Sequence, residues 1–192
     1  MPFFKERAWL IGLLSLSLVL GVALDVRAND SRIWPWAIWS SPEGQEQLRA
    51  VIPVDLATGI ALLLASGSWQ DLLNNPDDWC KAGSPLARYR RAHEMLLPVF
   101  NIAVLLHVAT VKQGLDGDWG FAYFFGWIGA AAGNVIACKL FGGISHPLVK
   151  VGLAVLLPPV TAGAWSVYGF NSPRILKEGL LTRKEGIPLQ SE

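Results

Sequence analysis

Residues 90–112, RRAHEMLLPVFNIAVLLHVATVK, constrain the fold more than any other stretch. The run is long and apolar enough to cross a bilayer, yet it carries His93, Glu94, Asn101 and His107. In hydrocarbon every backbone polar group must be satisfied within the segment, so such a run is a helix. Ionisable side chains at that depth are costly and mark functional positions by default. The rest of the chain must therefore supply further helices that enclose these groups.

The composition agrees. Of 192 residues 52% are hydrophobic and only 16% charged, whereas a soluble domain carries about a quarter charged residues. The apolar excess is gathered into runs of membrane-helix length. The sequence predicts an all-α, polytopic membrane helix bundle with five spans at about 8–24, 50–66, 92–111, 119–140 and 146–170, and a polar C-terminal tail over 171–192. Nine Trp suit the headgroup level and nineteen Gly suit close helix approach. A net charge of +1 gives no pull toward nucleic acid. The lipid bilayer is the partner that the pattern implies.

The first run has two readings. Val26 and Ala28 fit a signal-peptide cleavage site, which would leave four spans, but the apolar core is longer than the 7–15 residues usual for a signal, so a retained helix is favoured. Residues 25–48 read as a polar loop in which IWPWAIW forms an aromatic anchor at the interface or, on a sharper reading, a lid over a substrate entrance. In the second span Pro53 fits a first helical turn, which places Asp55 at the positive end of the helix dipole, with Thr58 and Gly59 on the same face. Residues 67–92 form a polar connection with a turn at NNPDD, and Trp69 and Trp79 read as interface anchors. Arg88, Arg90 and Arg91 mark that side as cytoplasmic by the positive-inside rule, although the basic C-terminal tail argues weakly for the reverse. Cys80 in the loop and Cys138 in a span are not expected to pair.

The fourth span contains a GxxxG pair, Gly129 and Gly133, a surface for a helix–helix partner, with Asn134 beside it ready for an interhelical hydrogen bond. In the fifth, Pro158 and Pro159 remove two backbone donors, which is tolerated only toward the bundle interior.

Within the third span His93 and His107 are fourteen positions apart, about 40° modulo a turn and about 21 Å along the axis, and so share one face. Glu94 and Asn101 share a second face, with Pro98 between them. One reading is acid–base chemistry on a lipophilic small molecule. A carboxylic acid in an apolar pocket can keep a proton at neutral pH. Glu94 or Asp55 would donate it, His107 or His93 would receive one, and Asn101 and Asn134 would orient a substrate oxygen. Isomerisation, cyclisation or oxidation would all be within reach. In architecture alone this resembles small multi-span enzymes of terpenoid, sterol and polyketide pathways.

A second reading is a b-type haem. The histidine spacing resembles that of quinol-oxidising cytochromes b, with His93 and His146 at one level and His107 needing a partner from another subunit. A third is structural, in which the polar groups bind helices together in an accessory or assembly subunit. The chain has neither the repeat symmetry nor the paired intramembrane charges of a transporter. It also has no P-loop, dinucleotide fingerprint, HExxH or CxxC. Any cofactor is therefore absent, haem-like or held by a partner.

Overall fold

The computed structural model describes residues 34–184, with side-chain surroundings through residue 177; the first expected span, 8–24, lies outside them. The described chain is all-α, with no strand among the described residues. Two short helices, α1 (Pro35–Ser40) and α3 (Ser68–Asn74), accompany four long ones: α2 (Pro42–Ala65), α4 (Pro85–Leu105), α5 (Trp119–Phe141) and α6 (Pro147–Lys184). The stretches Pro42–Ala65, Pro85–Lys112, Trp119–Phe141 and Pro147–Lys177 are long and apolar enough to cross a membrane. Short connections make consecutive spans antiparallel, so α4 and α6 run together, opposite to α2 and α5.

Helix starts follow local chemistry. Ser41 accepts from Gly44 N (3.0 Å) with Pro42 behind it, Ser84 accepts from Ala87 N (3.1 Å) with Pro85 behind it, and Asp118 accepts from Phe121 N (2.8 Å). Two of these caps correct the expected boundaries. Because α2 begins at Pro42, Pro53 lies inside the helix and Asp55 in its middle, so the dipole explanation for Asp55 does not apply. Much of the expected 67–92 connection is ordered as α3, the 3-10 turn Pro76–Trp79 and the first turns of α4. At the other end of α4 the helix widens into a π-helical segment, Leu106–Lys112, before Gly114 ends it at φ 65°.

Each span buries one stripe. On α2 the buried residues recur every fourth position: Gln47, Val51, Asp55, Gly59 and Leu63. On α4 the buried stripe runs through Tyr89, His93, Leu97, Asn101 and Leu105, again at steps of four, flanked by Leu86, Ala87 and Pro98. The outer faces carry large exposed apolar side chains such as Leu64, Val99, Phe100, Phe124, Ile136 and Leu156. This apolar exterior is what lipid, not water, solvates.

The α5–α6 pair has the most extensive contact. A Cβ at Gly129 would sit 2.9 Å from the Cβ of Trp165, and one at Gly133 would sit 2.8 Å from the Leu157 oxygen and the Pro158 Cα. The partner of the GxxxG surface is thus α6 of the same chain. The described part of the IWPWAIW stretch, from Trp34 on, is not a loop: α1 is helical, Ile38 is buried, and Trp39 docks on α6 by donating from Nε1 to the Ala164 carbonyl (2.7 Å).

Two further expectations are corrected. Cys80 and Cys138 form a disulfide, their Cα atoms 5.5 Å apart, because the 3-10 turn folds back against the end of α5. The segment after 170 is not a peripheral tail at its start: α6 continues through it, and Asn171 is buried, donating to Gln47 Oε1 (2.7 Å). Gln47 Nε2 in turn donates to Gln113 Oε1 (2.8 Å) and Gln113 to Glu46 Oε2 (2.9 Å), a chain of amides that closes this end of the bundle.

Candidate active site

The inward stripes bring polar side chains from three helices together. Asp55 on α2, His93 and Asn101 on α4 and Ser166 on α6 are all fully or almost fully buried. Asn101 lies beside Asp55 and donates from Nδ2 to Ser166 Oγ at 2.8 Å. One turn along α2, about 6 Å by helix geometry, Gly59 faces His93, whose Nε2 would lie 2.5 Å from a Cβ added there. Tyr89 stacks on the His93 ring (centroids 5.4 Å apart, planes at 18°) and donates its hydroxyl to the Gly59 carbonyl at 2.5 Å. On the α6 side Asp55 packs against Gly163, where an added Cβ would lie 3.2 Å from Oδ2. Glycines at 59 and 163 let the backbones close on the two ionisable groups.

Buried polar atoms in proteins are nearly always paired. Here Asp55 Oδ1 and Oδ2, His93 Nδ1 and Nε2, and Asn101 Oδ1 have no hydrogen-bond partner. Asp55 and His93 thus present four unpartnered heteroatoms on facing helices, with no salt bridge to either among the described residues.

The other expected site residues are placed elsewhere. Glu94 points toward α5, where Asn134 Nδ2 donates to its Oε1 at 2.7 Å and Arg90 approaches at 3.8 Å. Asn134 Oδ1 accepts from Trp79 Nε1 (3.1 Å), and Arg90 Nη1 donates to the Trp79 carbonyl (2.6 Å). Trp79 is therefore a buried member of a closed network and not an interface anchor, whereas Trp69 is exposed. The anticipated interhelical hydrogen bond of Asn134 is present, but it is engaged in bracing and does not reach the Asp55 site. His107 is exposed, because the wider turns of the π-helical segment interrupt the α-helical progression that would have aligned it with His93. The face expected to hold His93 with His107 and the face expected to hold Glu94 with Asn101 are re-sorted into His93 with Asn101 and Glu94 with Asn134. His146 is exposed ahead of α6, so the haem reading, which needs histidines facing one another inside the bundle, has only His93 buried.

Ser166 and Tyr89 were not singled out from the sequence. Ser166 stands in an otherwise small-residue stripe of α6 with Ala162 and Gly169, an intramembrane hydroxyl that could have been flagged. Tyr89 was hidden inside the arginine cluster. Outside the spans, the hydrogen bond from Lys81 to Asp78 (2.6 Å) holds the lysine ammonium above its ordinary range. No group of three or more His, Cys, Asp and Glu side chains among the described residues is arranged to hold a metal ion.

Comparison with protein families, with characterised proteins and with solved structures finds no match to this chain. The functional argument therefore stands on the geometry.

Proposed function

We propose that this multi-pass membrane protein performs acid–base chemistry on a lipophilic small molecule, with Asp55 and His93 exchanging the proton and Asn101 with Ser166 holding a polar atom of the substrate. The observation that carries this reading is the burial of a carboxyl group and an imidazole, neither paired, on facing helices. A neutral imidazole offers one donor and one acceptor, and a carboxyl group can give or take a proton, so together they supply both partners of a proton transfer. An apolar substrate would reach the bundle from the lipid, which the large exposed apolar side chains of the spans face. Isomerisation and cyclisation fit an acid–base pair without further groups; oxidation would need a co-reactant.

The test compares lipophilic extracts of host cells that make the wild-type protein, Asp55→Asn or His93→Gln, using mass spectrometry to find the species that depends on the wild type. Loss of a positioned acid or base costs about 10²–10⁴-fold in rate, so each variant should lose that species while being made and folded normally. Wild-type turnover in both variants would overturn the reading.

A second reading, an accessory or assembly subunit, is favoured by the bracing network of Trp79, Asn134, Glu94 and Arg90, which devotes much of the intramembrane polarity to rigidity. It predicts that Asp55→Asn is silent in the cell, with the variant still recovered in its complex.

A further inference from the structure

The disulfide and the buried histidine are joined by a continuous path. Cys80 follows Trp79 directly, and Trp79 is almost wholly buried although it sits in a four-residue turn. Three holds keep it there: the disulfide to Cys138, the indole hydrogen bond to Asn134 one turn before Cys138, and the Arg90 bond to its carbonyl. The Trp79 ring packs on Tyr89 (centroids 5.6 Å apart), and Tyr89 stacks on His93. His93 makes no hydrogen bond through either nitrogen. Its ring is therefore positioned by packing, between Tyr89 and Gly59, and so depends on where Tyr89 sits.

We propose that the Cys80–Cys138 disulfide is a redox clasp that sets the position of His93 through Trp79 and Tyr89. Both cysteines are half-buried, and Cys80 lies outside the spans in the connection before α4, where a thiol from the aqueous phase can attack its sulfur. A soluble dithiol supplies two electrons and two protons, leaves as its own disulfide, and converts the clasp to two thiols. The 3-10 turn is then held by hydrogen bonds and by the exposed Asp77–Lys150 ion pair (2.6 Å), and Trp79 loses the covalent hold beside it, so that its packing on Tyr89 can shift. Re-closure is the same exchange run backward, the oxidised dithiol taking back the two electrons and two protons, with Arg90 Nη1 3.9 Å from Cys138 Sγ. The consequence for activity rests on the acid–base reading above; the movement of His93 does not.

The experiment uses the full-length protein in detergent micelles with ¹⁵N-labelled histidine, so that three imidazoles are observed, with His93 assigned by its loss in His93→Gln. Dithiothreitol should displace the His93 ring signals, leave those of His107 and His146 in place, and be reversed by reoxidation. The Cys80→Ser/Cys138→Ser double variant should show the displaced position with or without dithiothreitol. Trp79→Phe, which keeps the disulfide but loses the indole hydrogen bond, should respond less than the wild type. Unchanged His93 signals on verified reduction would overturn the proposal. So would joint collapse of all three signals, since the disulfide would then hold the bundle as a whole. If Asp55→Asn and His93→Gln both keep wild-type turnover while the wild-type His93 signals respond to dithiothreitol, the acid–base reading fails and the clasp stands.

Discussion

Burying a carboxyl group with neither oxygen hydrogen-bonded costs free energy, and Asp55 does so at the centre of four apolar helices. Such a group destabilises by about 1–3 kcal/mol relative to a paired one. Asp55→Asn keeps the size of the side chain and replaces the buried carboxyl with a neutral amide, so it should raise the thermal unfolding midpoint in detergent while removing the acid–base group. A midpoint at or below that of the wild type would mean that the carboxyl is already compensated. A gain in stability bought with a loss of function is the signature of a site held under strain for its chemistry. His93 gives a second check. Gly59→Ala places a methyl 2.5 Å from its Nε2 and 3.5 Å from Pro159 Cγ, so the ring must turn away. The expected outcome is a displaced His93 imidazole signal and loss of turnover, with the amide network at the opposite end of the bundle unchanged.

At the scale of the helices, the glycines separate positions that pack from positions that do not. Gly133 lies against the α6 backbone, whereas a Cβ on Gly152 would meet nothing within 4 Å. Gly133→Leu should therefore abolish cooperative unfolding, Gly133→Ala should cost about 1–3 kcal/mol through overpacking, and Gly152→Leu should leave the denaturation curve where it was. Equal effects at the two positions would contradict the α5–α6 contact. The existence of these helices was legible because apolar runs of the right length leave few alternatives. The GxxxG surface was legible because small residues in a span have a direct packing meaning. The start of α2 was not, although Ser41–Pro42 is a helix-start signal, because the residues after it, EGQEQLR, are polar and lack the apolar run that marks a span. The site was legible in part. Asp55, His93 and Asn101 were named from the cost of burying them, but their grouping was misread. A 100° step carried through Lys112 ignores the π-helical segment, and a face computed on one helix does not say which neighbour it meets. The disulfide was missed for the same reason. It depends on the 3-10 turn folding back on α5, which no local pattern encodes.

For the molecule as a whole, the disulfide bears on which way the protein sits. Disulfides persist in oxidising compartments, and this one lies with the turn Pro76–Trp79 at one end of the bundle. A membrane-impermeant maleimide should therefore label Cys80, after reduction, from the side away from the cytosol. Labelling from the cytosolic side would restore the orientation expected from the arginines. Those arginines are weaker markers than their number implies, since Arg90 is turned inward to Trp79 and Glu94. Closing 58 residues of chain, the disulfide should add about 4 kcal/mol by the chain-entropy relation, read as a lower unfolding midpoint in Cys80→Ser/Cys138→Ser. The longest element has a consequence of another kind. α6 runs 38 residues, about 57 Å at 1.5 Å each and nearly twice the ~30 Å hydrocarbon core. At Pro158 and Pro159 two successive rungs of its hydrogen-bond ladder are missing. In mechanical terms α6 is a strut longer than the wall it passes through, with its compliant joint inside that wall and Pro159 resting on Gly59 beside His93. Pro173 removes a third rung nearer the projecting end, so a pull or twist applied there would bend α6 at two places, the inner one beside the two unpaired ionisable groups.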